Sequence, residues 1–353
     1  MEGEMTSTPS KAVKLLNFTV DIYEQNNTKS EHGKLSTENI LIIIIQLVLM
    51  ISIIIGNSLV ILAVIKFRNL RSVLYRFVAS LAFADILVAT VIPVNMLRHA
   101  EPIFNRNQRI CLAVYGTSTV SFAASVFHLF CIAIDRCIAL NNPLKYQTIM
   151  AGKSYKFIAV IWIVSIAVGI VPAFVSRRWE DNPKCTMQRV LDSTYMFVLC
   201  IIIIAIAVAM LVMYAQLFYV VQSHLNRTNI RNAQISCGTV SKIKKDAKAA
   251  KVLATVLLTF LICWMPFVSV VIVIYLGKTD TANKEYKTVS YFLAVFNSCL
   301  NPLIYAWMSK GMRAAFKTLL RLDRRSQTTD ITDVANGNGA PGSLDLREEG
   351  EPL

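Results

Sequence analysis

Charge is scarce in this sequence. Of 353 residues, only 16% are Asp, Glu, Lys or Arg, 55% are hydrophobic, and the mean hydropathy is positive. An ordinary soluble domain carries about 25% charged residues, so the composition excludes that class and points to the bilayer as solvent. The apolar stretches also lack what other membrane functions require. No charged rings, broken helices or inverted half-and-half repeats are visible, which argues against a channel or transporter. Asp85 has no second mid-span aspartate and His128 has no partner histidine at ligand spacing. A carboxylate pair or metal centre for hydrolysis therefore does not assemble, the chain is read as a non-enzyme, and His128 is read as a packing residue. The first 39 residues have no apolar core like that of a cleaved signal peptide, so the first span is expected to direct insertion and the amino terminus to be retained. No cysteine follows the last span, which leaves no palmitoyl anchor there.

A hydrocarbon core of roughly 30 Å is crossed by about 20 mostly apolar helical residues. Seven stretches qualify, at 40–66, 73–97, 109–135, 155–176, 193–223, 248–276 and 286–308. The expected fold is all-α, a seven-transmembrane helix bundle with a short amphipathic cytoplasmic helix. It divides into an extracellular tail (1–39), a membrane domain with its cytoplasmic helix (40–321) and a disordered cytoplasmic tail (322–353). In the segment after the last span, Met312, Phe316, Leu319 and Leu320 share one helical face and Arg313 and Lys317 another, which suits the inner membrane surface.

The net charge of +14 does not mark a nucleic-acid binder, because the basic residues track alternate loops. They gather at Lys66, Arg68, Arg71 and Arg76, at Lys145, Lys153 and Lys156, at Arg227, Arg231, Lys242, Lys244 and Lys245, and after the last span. By the positive-inside rule those faces are cytoplasmic and the amino terminus is outside. There it carries two glycosylation acceptors, Asn17 and Asn26, although such tripeptides also arise by chance, as Asn226-Arg227-Thr228 on the cytoplasmic side illustrates. Of eight cysteines, only Cys111 and Cys185 fall on the outer side. They can join and pin the loop before the fifth span over the bundle, with two free thiols as the alternative.

Polar residues inside spans ask for a reason. Asp85 lies mid-span, and Asn57, Ser125, Asn297, Ser298 and Asn301 offer oxygens at comparable depth. Such a set suits a small hard cation or ordered water, or equally a hydrogen-bonded packing cluster with no ion, and spacing leaves the two open.

Each span then carries a signature. These are Gly56-Asn57, Leu81-Ala82-Phe83-Ala84-Asp85, Asp135-Arg136-Cys137, Trp162, Tyr214, Phe260-Leu261-Ile262-Cys263-Trp264-Met265-Pro266, and Asn297-Ser298-Cys299-Leu300-Asn301-Pro302-Leu303-Ile304-Tyr305. Over roughly residues 40–321 the chain resembles a rhodopsin-like (class A) G protein-coupled receptor. The resemblance implies a multi-pass plasma-membrane receptor that passes an extracellular signal to a heterotrimeric G protein. It implies an allosteric sodium ion at Asp85, with Ser125, Trp264, Asn297, Ser298 and Asn301 around it, and no other cofactor. Arg136 would bond Asp135 and an acid matching Asp246, for which a solvated helix-start aspartate is the competing account. On activation it would turn to Tyr214 and Tyr305, with Pro266 and Pro302 permitting helix kinks. Pro143 and Leu144 match the family's G-protein contact. By family geometry the ligand cavity would be lined by Asn95, Tyr115, Ser118, Thr119, Phe122, Trp264, Phe267, Val271 and Tyr291.

The departures bear on the ligand. Ser118 stands where amine receptors carry their ligand-pairing aspartate, Val295 where opsins carry the retinal lysine, and Val271 where adenosine receptors hold purine with asparagine. An uncharged, aromatic-rich pocket suits a small neutral or weakly polar molecule, with a peptide as the alternative ligand. Ile206 replaces the usual fifth-helix proline beside Val126 and Phe260, and Cys137 replaces a common tyrosine. In the tail, Ser326, Thr328, Thr329 and Thr332 are candidate sites for a receptor kinase and arrestin, against simple solvated disorder.

Overall fold

The computed structural model describes residues 37–100, 107–141, 146, 152–175, 185, 187–230, 237–277 and 284–321. The glycosylation candidates Asn17 and Asn26, the loop residues Pro143 and Leu144, and the tail beyond residue 321 lie outside them.

Long helices follow one another along the chain: α1 (Thr37–Lys66), α2 (Val73–Ala100), α3 (Gln108–Asn141), α4 (Ser154–Val175), α5 (Ser193–Ile230), α6 (Cys237–Gly277) and α7 (Lys284–Met308). A one-turn helix, Met187–Val190, precedes α5, and the short α8 (Lys310–Leu319) follows α7. Seven of these are long and apolar enough to cross a membrane, and no strand occurs among the described residues. In a bilayer only such structure satisfies every backbone polar group internally. The helices outrun the expected spans at several ends. α3 continues to Asn141, α5 to Ile230, and α6 begins at Cys237, because polar turns keep their helical hydrogen bonds after leaving the apolar layer.

The chain divides into two compact units, residues 1–49 and 50–353. Within the second, the main core gathers Val60, Phe77, Leu81, Leu129, Ile132, Met210, Leu257, Ile304 and the α8 residues Met312 and Phe316. A smaller outer core holds Cys111, Cys185, Val190, Leu191, Met196 and Val271. The surface is as apolar as the interior: Ile163, Phe174, Ile262 and Trp307 are mostly exposed. In water such a patchwork would drive aggregation; against lipid it costs nothing.

Two local devices set the geometry around the sites. Gly169 of α4 lies so close to α3 that a Cβ there would stand 2.3 Å from Val120 Cγ2 and 2.8 Å from the Gly116 carbonyl oxygen. Small residues of this kind let spanning helices approach. At the inner end, Ser309 caps α8, accepting from Met312 N–H at 3.3 Å, while Arg313 Nε donates to the Ala306 carbonyl at 2.9 Å and Nη2 to that of Trp307. The caps turn the chain sharply from α7 into α8, and the buried side chains of α8 face the core.

Candidate functional site

Four of the mid-membrane polar residues, Asn57, Asp85, Ser298 and Asn301, are joined by hydrogen bonds. Asp85 on α2 is 1% exposed and accepts from Ser298 Oγ at 2.8 Å and Asn301 Nδ2 at 2.9 Å, both on α7. Asn57 Nδ2 on α1 donates to the Ser298 carbonyl at 3.0 Å and to Ile53 O at 3.0 Å. The Ser125 hydroxyl hydrogen goes back to Ser121 O at 3.0 Å, leaving its lone pairs to accept. The oxygens Asn297 Oδ1 and Asn301 Oδ1 are buried with no hydrogen-bond donor among the described residues. The Asp85 carboxylate beside Asn301, whose own oxygen lacks a donor among the described residues, fits a hard cation of low charge. Trp264 is not a ligand for a cation, because its Nε1, buried with no partner among the described residues, carries a hydrogen. No cluster of three or more His, Cys, Asp or Glu side chains able to hold a metal ion occurs among the described residues.

Above this cluster stands an aromatic stack. Phe122 on α3 lies 4.1 Å from the Trp264 ring and 6.2 Å from Phe260, and Trp264 meets Phe267 edge-on at 5.8 Å. Val126 and Phe260 belong to the main core and Ile206 packs against that core, in an α5 that contains no proline. Towards the outer end, Asn95 Nδ2 donates to the Tyr291 hydroxyl at 3.1 Å, joining α2 to α7. Ser118 and Thr119 turn their hydroxyl hydrogens back to Val114 O and Tyr115 O, each at 2.8 Å. Tyr115 and Phe267 pack against the outer core, to which Val271 belongs. The disulfide Cys111–Cys185, with Cα atoms 5.7 Å apart, ties the loop before α5 to the start of α3.

At the cytoplasmic end Asp135 is fully buried and ion-paired with Arg136, whose Nε donates to Asp135 Oδ2 at 3.0 Å. Sequence reasoning overlooked a third member. The Tyr146 hydroxyl donates to Asp135 Oδ1 at 2.8 Å and accepts from Arg136 Nη2 at 3.2 Å. Burial, and then the neighbouring Asp135 carboxylate, push the Tyr146 hydroxyl above the ordinary tyrosine range, so it stays a donor. Asp246 lies on the first turns of α6 with its side chain outside the described set. Tyr214 packs against the main core, and the Tyr305 hydroxyl is buried with no partner among the described residues.

His128, read from the sequence as a packing residue, is fully buried and also hydrogen-bonded. Its Nδ1 meets Ala124 O at 2.7 Å and its Nε2 meets Ser80 Oγ at 2.7 Å, while Trp162 Nε1 donates to the same Ser80 oxygen at 3.0 Å. Because a carbonyl only accepts, Nδ1 carries a hydrogen, and in the neutral ring Ser80 donates to Nε2. The result is a closed hydrogen-bonded bridge across α2, α3 and α4. Nothing in the linear sequence marks it, because the three residues come from three spans.

An aromatic stack, a buried polar cluster and a caged arginine, arranged from outside to inside across seven spanning helices, define a membrane receptor that relays a signal. The rhodopsin family of seven-transmembrane receptors matches residues 56–305, and the chain belongs to that family. It is therefore a class A G protein-coupled receptor and not an enzyme. The chain is 30% identical over 328 residues to the Octopamine receptor beta-2R of Chilo suppressalis, covering 83% of this chain and 81% of that protein. It is 30% identical over 295 residues to the Trace amine-associated receptor 7e of Mus musculus, with 78% and 82% covered. It is 25% identical over 331 residues to the Histamine H2 receptor of Canis lupus familiaris, with 88% and 89% covered.

Proposed function

We propose that this receptor sits in the plasma membrane with its amino terminus outside, and binds a small neutral or weakly polar molecule at Asn95, Tyr115, Ser118, Thr119, Phe122, Trp264, Phe267, Val271 and Tyr291. The observation that carries the reading is the absence of charge at these positions. The relatives are named for amines, yet Ser118 stands at the place of the amine-pairing aspartate and already spends its hydroxyl hydrogen on Val114 O. A protonated amine would lose the charge-assisted bond that holds it, about 1.5–3 kcal/mol.

The ligand stands over Phe122 and Trp264, so it biases the aromatic stack, and Pro266 supplies the flexible point at which α6 can move. Asp85, Ser125, Asn297, Ser298 and Asn301 hold sodium, which stabilises the resting arrangement by electrostatic attraction to the buried carboxylate. Arg136 releases Asp135 and engages Tyr214 and Tyr305, opening the inner face to a G protein that also meets Pro143 and Leu144. Asp246 adds to the resting clasp. A receptor kinase and an arrestin act on the tail hydroxyls, and Asn17 and Asn26 are glycosylated.

The test is cyclic AMP in cells expressing the chain, without ligand and against purines, amines and small neutral lipids, beside receptor-free cells. A neutral compound should change the signal. Arg136→Ala should reduce that response about tenfold or more, the equivalent of one lost charge-assisted bond, at unchanged surface expression. Nanomolar potency of a primary amine would overturn the neutral-ligand reading, and full signalling by well-expressed Arg136→Ala would overturn the switch.

A further inference from the structure

The outer halves of α5 and α6 line an open groove of about 410 Å³ that no residue of the proposed ligand set lines except Val271. Its floor is made by the buried Met196 and Val271, and its outer wall by Phe197, Ile201, Ile204 and Ile272, which are open to the bilayer. Among the described lining residues the hydroxyls are those of Ser193 and Thr194, both in the first turn of α5, at the outer mouth. A polar end and an apolar barrel, opening sideways into lipid, match the shape of an amphiphile lying along its neighbours in the outer leaflet. The size limits it to one chain. At the roughly 30 Å³ that a water occupies in the liquid, the groove takes on the order of a dozen methylene-sized groups.

Charge limits the head. Among the described residues the lining carries none. A charged head would leave water without meeting a counter-ion in that lining. A smaller chamber of about 50 Å³, bounded by Phe122, Phe260 and Trp264, shares Ile204 with the first. The deep end of the groove therefore adjoins the aromatic stack.

We infer that the groove between the outer halves of α5 and α6 is a binding site for a neutral single-chain lipid, with its hydroxylated head at Ser193 and Thr194 and its chain running to Ile204. The site stands whatever ligand the central cavity takes.

The experiment places the full-length receptor in phosphatidylcholine nanodiscs with a monoacylglycerol bearing a photoreactive diazirine in its chain, and maps the adducts by mass spectrometry. Adducts should concentrate on residues lining the groove and be competed by unlabelled monoacylglycerol but not by added phosphatidylcholine. Ile201→Trp and Ile272→Trp fill the groove from its lipid side and should each lower labelling about tenfold, the equivalent of excluding two methylenes. Their folding is checked by thermal unfolding, and Ile204→Phe serves if either fails to fold. Ile163→Trp, on the lipid face of α4, should leave labelling unchanged. Adducts spread evenly over the lipid-facing helices, equal competition by phosphatidylcholine, or labelling indifferent to the groove-filling changes would each overturn the site.

Discussion

The cytoplasmic cage depends on single atoms. Asp135 is a fully buried carboxylate inside a spanning helix, and such a group persists only where donors surround it. Arg136 supplies one side and the Tyr146 hydroxyl the other. Because the phenol also accepts from Arg136, it fixes the guanidinium against the acid and leaves less freedom for it to swing inward. Tyr146→Phe keeps the ring and deletes both bonds. Loss of a hydrogen bond to a charged group costs about 1.5–3 kcal/mol, all of it taken from the resting arrangement. Basal cyclic AMP signalling should shift about tenfold towards the active level at equal surface expression. Tyr146→Ala should do the same with added loss of stability. Unchanged basal signalling in Tyr146→Phe would show that Arg136 and Asp135 hold each other unaided.

Between elements, α3 and α4 approach closely at Gly116 and Gly169. In an exposed helix Gly→Ala is favourable by about 1 kcal/mol, so propensity alone predicts that Gly169→Ala stabilises. Sterics decide otherwise. The new methyl would fall 2.8 Å from a backbone oxygen that cannot rotate away, and 2.3 Å from Val120. Overpacking of this kind costs about 1–3 kcal/mol, and the nearby His128–Ser80–Trp162 bridge would be strained as the helices part. Solubilised Gly169→Ala should unfold several degrees below the parent, while Gly152→Ala, with nothing within 4 Å of the new methyl, should unfold with it. This contact also shows where sequence reading stops. The spans, their order and the positions of Asp85, Arg136 and Trp264 were legible because hydropathy and single-span signatures encode them locally. Gly169, Tyr146 and the partners of His128 were not, because which helix faces which is a property of pairs of spans. The groove between α5 and α6 was hidden for the same reason, and its lining reads in sequence as ordinary lipid-facing Ile and Phe.

Across the whole molecule, the Asp85 cluster is where three helices are tied at one depth: α1 through Asn57, α2 through Asp85, and α7 through Ser298 and Asn301. Any rearrangement that moves α7 must break bonds to a buried carboxylate, so whatever binds there biases the entire equilibrium. A ligand present at ten times its dissociation constant adds about 1.4 kcal/mol to the state it binds. For a chain of this size that is a rise of about 2 °C in unfolding temperature. Sodium chloride should therefore stabilise the purified receptor relative to choline chloride at the same concentration. Asp85→Asn retains the side-chain shape and can still hydrogen-bond Ser298 and Asn301, but it removes the charge; the sodium-dependent part of the stability should vanish in it, and the stability in choline should change little. The comparison needs no agonist, so it separates the ion from the question of the ligand. An equal sodium effect in Asp85→Asn would place the ion elsewhere. No effect in the parent would leave the cluster as a hydrogen-bonded lock whose work is done by Ser298, Asn301 and Asn57 alone.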